Sequence, residues 1–174
     1  AKARGGQDVC ALKSQGPELP RLMPEVDDAV AAGFAAVLRL IEQVTALNKP
    51  VHFHLHDGHP LSTVSPFGVA DHLSFFSEIP LNFEYRGRRT VPTMFGPSGL
   101  GKVIGSALKS IKADKLSFTL EIHPTGESLP LDETAALFQH WTIKTNAERT
   151  NHWLSVLAQN HSLLQQAIET ALVR

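Results

Sequence analysis

Cysteine is nearly missing from this chain: Cys10 is the only one among 174 residues. A single thiol excludes an internal disulfide framework and fits a reducing, cytoplasmic setting. An excess of charge is missing as well. Sixteen Lys and Arg stand against 17 Asp and Glu, a net charge of −1, so no general attraction to nucleic acid or to an anionic membrane is expected. No uninterrupted apolar run approaches the roughly 20 residues of a membrane span. The opening AKARGGQDVC lacks the apolar centre of a signal peptide. It starts at Ala1 without a methionine, which reads as a processed end or an excerpt of a longer protein. What is present is the composition of a globular domain, 43% hydrophobic and 19% charged, long enough to bury a core.

Residues 1–23 mix Gly, Pro and basic residues without a period and read as an irregular arm or loop. From Pro24 the spacing of Val26, Val30, Phe34, Val37, Ile41 and Val44 predicts a helix. Pro24 suits its first turn, with Glu25, Asp27 and Asp28 where the helix dipole favours acids. Lys49-Pro50 should end it near Asn48. Residues 51–56 then alternate: Val51, Phe53 and Leu55 on one face, His52, His54 and His56 on the other, as a strand requires. The stretch from Asp57 to about Thr93 reads as a long loop with room for a short helix around Ala70–Phe76. A helix is expected from Pro97 to about Lys112, with Leu100, Val103, Ile104, Ala107, Leu108 and Ile111 buried. KLSFTLEIHP is a second alternating strand, with Ser117, Thr119, Glu121 and His123 on its polar face. Asp132 caps a third helix ending near Thr145, and a fourth runs from about Ala147 to Leu172. Strands separated by helices imply parallel pairing and an α/β fold. A parallel strand with one polar face suits a barrel, whose active site lies at the C-terminal ends of its strands.

Histidine is the residue this chain has in quantity. Four of its nine fall in VHFHLHDGHP, Val51 to Pro60. Three imidazoles on one strand face, with Glu121 and His123 on the next strand, form a donor set that suits a divalent metal. Hydrogen-bonded interior histidines are the bland alternative. The metallo-β-lactamase pattern places its aspartate one residue later than Asp57. The amidohydrolase pattern expects a late aspartate where Glu121 stands. Cupins are all-β, which the helices exclude.

The two strand motifs resemble the xylose-isomerase-like barrel superfamily, which holds sugar isomerases, epimerases and endonuclease IV. Its seventh strand places a ligand histidine three residues before an acid, as His54 stands to Asp57. Its eighth ends in a hydrophobic stretch with a ligand glutamate, L-E-x-P or similar, as LEIHP supplies Glu121. The Pro97–Lys112 helix falls between them, as a barrel requires. The resemblance covers about residues 24–145 and implies a (β/α)8 TIM-barrel fold, of which residues 24–174 would be the C-terminal part. It implies a divalent ion (Mn, Co, Zn or Mg) held by His54 and Glu121, with Asp71 and His72 as candidate further ligands beside the plainer reading of a capping Asp and a surface His. It implies Glu121 as one of two carboxylates moving a proton beside a sugar carbonyl, through an enediolate. His52, His56, Asp57, His59, His123, Arg86 and Arg88 would then face a sugar or polyol substrate. Pro60 stands where the ketose epimerases carry an arginine, and Asp71-His72 lacks the arginine of the endonuclease D-R-H. A full barrel takes ~250 residues, so the rest of the site is expected from a missing N-terminal half or from a second copy. A metallo-hydrolase and a non-catalytic barrel remnant stay open beside the isomerase.

Two weaker signals remain. GPSGLGK, Gly96 to Lys102, matches G-x-x-x-x-G-K but is followed by Val103 where a P-loop needs Ser or Thr. A tight helix entry, with room for an anion at its N-terminus, is the simpler reading. Arg86, Arg88 and Arg89 beside Tyr85 form the densest basic cluster, suited to a phosphate or carboxylate or to plain solvent.

Overall fold

The computed structural model describes residues 17–61, 72–122 and 147–173. Its first element is the 28-residue helix α1, Leu19–Ala46. The helix starts five residues before the expected Pro24, and the proline at its first positions is Pro20. Pro24 lies inside it and none of the acids falls in its first turn. Lacking an N–H, Pro24 leaves the Pro20 carbonyl without its helical bond. Burial of Leu19, Leu22, Met23 and Val26 offsets that loss. At the other end Asn48 takes the left-handed conformation, φ 52°, that closes a helix. Lys115 Nζ donates to its carbonyl oxygen (3.0 Å) and to Oδ1 (2.8 Å).

By length and composition α1 would pass for a membrane span, with an 18-residue window of mean hydropathy 1.4. A search for an uninterrupted apolar run misses it because isolated polar residues interrupt the sequence. Both ends of α1 are committed to protein cores, described below.

Strand β1, Val51–Leu55, pairs in parallel with β4, Leu116–Leu120. Helix α2, Gly96–Ser110, lies between them in sequence, and a short 3-10 turn, Ala113–Lys115, leads into β4. The register sets His52 opposite Ser117, His54 opposite Thr119 and Leu55 opposite Leu120. The expected parallel α/β pairing is therefore present. The described strands form two two-stranded sheets, and no closed barrel exists among the described residues.

The second sheet lies where a long loop was expected. Strand β2, Glu78–Tyr85, and strand β3, Arg88–Pro92, form an antiparallel hairpin. Ile79, Leu81, Phe83 and Tyr85 alternate as a strand does. Arg86 (φ 51°) and Gly87 (φ 75°) turn the chain in the left-handed region that a two-residue hairpin loop demands. Pro80 and Pro92 disguise the pattern, yet a two-stranded ribbon has free edges that tolerate proline. Residues 72–76 form a bridge and a turn rather than the short helix expected around Ala70–Phe76. Helix α3, Ala147–Leu172, appears at its expected bounds. The helix expected from Asp132 to Thr145 lies outside the described residues.

Two apolar cores result. The first packs Leu19, Leu22, Met23 and Val26 of α1 against Ile79, Leu81 and Val91 of the hairpin. The second packs Ile41 of α1, Leu55 of β1, Leu100, Val103, Ile104 and Ala107 of α2, and Leu164 of α3. Within it the rings of Phe53 and Phe118 stack across the parallel strands, centroids 5.6 Å apart. Asn160 of α3 is fully buried. Its Oδ1 accepts the Phe75 N–H at 3.0 Å, and its Nδ2 donates to Ser74 Oγ at 2.8 Å and to the Val156 carbonyl at 2.7 Å. That network ties α3 to the segment that returns to β1.

Candidate functional site

Alternation turns the apolar residues of β1 and β4 toward the second core and leaves the imidazole face toward solvent. His52 is held by the neighbouring strand, with Nδ1 2.7 Å from Ser117 Oγ and Nε2 3.2 Å from Thr119 Oγ1. Its ring meets that of His54 edge to face, centroids 4.9 Å apart.

His54 and Glu121 meet. The ladder continues one step past β4, with the Glu121 N–H donating to the Leu55 carbonyl at 3.0 Å. This sets Glu121 diagonally across from His54 on the same face. His54 Nδ1 lies 2.7 Å from Glu121 Oε2. A carboxylate accepts, so Nδ1 carries the proton and Nε2 holds the lone pair of the neutral ring. The side chains are 57% and 37% exposed; an ion pair in such a setting adds little to stability and mainly fixes orientation.

A third imidazole joins them. His72 Nε2 lies 3.4 Å from Glu121 Oε1. The His72 ring stacks on that of His56, centroids 4.3 Å apart at 19°. The His72 backbone N–H donates to His56 Nδ1 at 3.1 Å. That nitrogen also sits 3.3 Å from the Asp57 carbonyl. A backbone N–H can only donate, so the shorter contact sets Nδ1 of His56 as an acceptor and leaves its proton on Nε2.

Two residues expected at the substrate are committed elsewhere. Asp57 is 1% exposed. Its carboxylate accepts N–H groups from Gly58 (2.8 Å), Phe95 (3.1 Å) and Gly96 (2.7 Å). It thus occupies the N-terminal end of α2, the place read as a tight entry with room for an anion. Burial pushes the Asp57 carboxyl above its ordinary value, and the backbone N–H groups of Phe95, Gly58 and Gly96 pull the other way without cancelling it. His59 is also buried. Its Nδ1 accepts the Leu61 N–H at 3.1 Å, and burial lowers its pKa to about 4, against a weaker upward pull from Asp27.

The basic cluster belongs to the hairpin tip, with the first core. Arg86 Nη1 lies 3.0 Å from Asp27 Oδ2, and the Tyr85 hydroxyl donates to the same oxygen at 2.8 Å. The Arg86 guanidinium also lies over the Tyr85 ring, 4.9 Å from its centroid. Arg88 opens β3 beside this turn. Asp71 and His123 lie outside the described residues.

Imidazole and carboxylate are the donors a divalent ion takes, and His54 and Glu121 are close enough to share one. Among the described residues, no group of three or more His, Cys, Asp or Glu is arranged to hold a metal. A hollow of about 330 Å³ behind β1 touches His54 and His56, but Leu40, Ile41, Phe53 and Leu100 line it and make it apolar. A groove of about 1000 Å³ between α1, α2 and α3 is lined by none of the histidines.

The fold class is mixed α/β, with a polar strand-end cluster of histidines around one glutamate. Compared with protein-family models, curated proteins and solved structures, the chain finds no match.

Proposed function

We propose that β1, α2 and β4 are the last strand–helix–strand unit of a (β/α)8 barrel of the xylose-isomerase-like kind. On this reading the site at their C-terminal ends belongs to a metal-dependent isomerase or epimerase acting on a sugar or polyol. The observation that carries the reading is the meeting of His54 and Glu121 at 2.7 Å across adjacent parallel strands. The two residues were singled out from separate motifs 67 positions apart.

In this reading Glu121 takes a proton from the carbon beside a sugar carbonyl and returns it to the neighbouring carbon, through an enediolate. Without metal, the His54 Nδ1–H fixes one carboxylate oxygen and so sets the orientation of Glu121. Ser117 and Thr119 take both ring nitrogens of His52 on the same face, so a substrate hydroxyl would have to displace one of them. A divalent ion held by His54 and Glu121, with Asp71 as a further ligand, would replace the proton between them and supply the positive charge that stabilises the enediolate. The remaining strands, or a second copy, would complete the ligand set, and the single cysteine suits a cytoplasmic setting.

The chain is to be incubated in D2O with a panel of aldoses, ketoses and polyols, each with Mn, Co, Zn or Mg. Metal binding is measured separately by calorimetry. Deuterium entering beside the carbonyl, abolished in E121Q, is the expected result, with metal binding lost in H54A. A folded chain that binds no metal and exchanges no deuterium overturns the reading. Release of a hydrolysed product instead would identify a metallo-hydrolase.

A further inference from the structure

We infer that His72 is a positioning residue for Glu121, holding the carboxylate oxygen that His54 does not. The inference rests on the reading of Glu121 as the carboxylate that moves the proton. A glutamate at a strand end has three rotatable bonds and loses entropy when fixed. One hydrogen bond leaves its second oxygen free to swing. Here the two oxygens face two different imidazoles, His54 from the neighbouring strand and His72 from the segment that returns to it.

The mounting of His72 carries the argument. Its backbone sits at φ 59°, the left-handed region that a residue bearing a side chain seldom adopts. Among the described residues the other two of this kind, Asn48 and Arg86, close a helix and turn a hairpin. At His72 the conformation is held from both sides. Its N–H is bonded to His56 Nδ1. The next residue, Leu73, is buried and exchanges two 2.9 Å backbone hydrogen bonds with Asp57. The His72 ring lies nearly parallel on His56, and its side chain is only 19% exposed. Asp57 is itself anchored to the start of α2. The imidazole facing Glu121 Oε1 is thus built onto the end of β1 through two backbone bonds and a ring stack. Local strain held by its surroundings at a polar cluster is the pattern expected of a group whose direction matters.

The test is a nitrogen NMR spectrum of the histidine rings in the full chain at about pH 8, above the ordinary histidine range. In the native chain His54 should show the Nδ1–H tautomer, because Glu121 accepts that proton. His54→Gln identifies the His54 signal by its loss, and E121Q shows that signal without the carboxylate. In His72→Leu the carboxylate loses its contact with the second imidazole. His54 is then expected to shift toward the Nε2–H tautomer of a free imidazole. His72→Gln keeps an N–H donor at similar reach and is expected to restore the native signal. His72→Gly relaxes the backbone while removing the ring, so it should keep the fold and still show the shifted signal. It replaces His72→Leu if that variant does not fold.

A His54 signal unchanged in folded His72→Leu and His72→Gly overturns the inference, as does failure of His72→Gln to restore it. Once a substrate is found, His72→Leu is expected to lower kcat about 10- to 100-fold with KM little changed. A change confined to KM overturns the inference. The NMR signal does not depend on turnover. Absence of both metal binding and deuterium exchange, together with the expected response to the His72 variants, would reject the isomerase reading and leave the positioning role standing.

Discussion

Asp57 stands three residues after His54 and two before His59, in the middle of the stretch that reads most like a metal motif. Its carboxylate nevertheless points at backbone. Three N–H groups from Gly58, Phe95 and Gly96 converge on it, and no water can replace it at 1% exposure. Asp57→Ala would strand those donors in a buried site, at a cost of about 2–4 kcal/mol. Urea denaturation should show that loss, while a residue needed only for substrate contact would leave stability unchanged. His59 gives a prediction in pH. Its folded pKa is depressed by burial to about 4, against 6.5 for the ordinary side chain. Above pH 6.5 neither state is charged and its contribution to stability is complete. As the pH falls from 6.5 toward about 4 the unfolded chain takes a proton that the folded chain refuses. Stability then drops by an amount on the order of 3 kcal/mol. Denaturation midpoints measured across that window should fall in the native chain and fall less in His59→Asn, whose amide oxygen can accept the Leu61 N–H without titrating. Equal slopes would show that His59 is not the group responsible. Neither role could be seen in the sequence. An aspartate or histidine that binds backbone and one that binds ligand have the same letters, and only the positions of Phe95, Gly96 and Leu61 separate them.

At the scale of elements, legibility followed periodicity. The bounds of β1, α2, β4 and α3 were readable because each shows a regular spacing of apolar residues with an interruption at its ends. α1 was readable in its body, where Val26, Phe34, Val37 and Ile41 recur. It was misread at its start, where Pro24 looked like an N-terminal signal and Pro20 was one. A proline marks a helix start only as a preference, and the burial of Leu19, Leu22 and Met23 extended the helix beyond it. The hairpin was missed although Ile79, Leu81, Phe83 and Tyr85 alternate over eight residues. Pro80, Pro92 and three arginines gave that stretch a loop-like composition. Arg86-Gly87 was in fact the turn signal, since both residues adopt positive φ.

At the scale of the whole molecule, α1 alone among the described elements enters both cores. Its first turns pack on the hairpin and its last turns pack on β1, α2 and α3. Substitutions in separate cores with no shared partner should add. Ile79→Val and Ile104→Val are each expected to cost about 0.5–1.5 kcal/mol, and the double variant should equal their sum within about 0.5 kcal/mol. A larger deviation in chemical denaturation would mean that the cores are coupled through α1. The same division explains the fate of the predicted site. His54, Glu121, His52 and His56 lie on or beside the parallel strands. Arg86 is bound to Asp27 at the other core, so the basic cluster and the imidazole cluster were never one site.

By itself the sequence determined the parallel α/β pairing and the polar face that carries His54 and Glu121. Alternation along a strand is a local consequence of the pleat, and the order strand–helix–strand restricts pairing. The tertiary structure decided which polar groups meet. Strand register brought Glu121 to His54, and a returning segment with a left-handed backbone brought in His72. Burial turned Asp57 and His59 into structural groups. Each of these depends on residues far apart in sequence, whose approach is set by packing rather than by any local pattern.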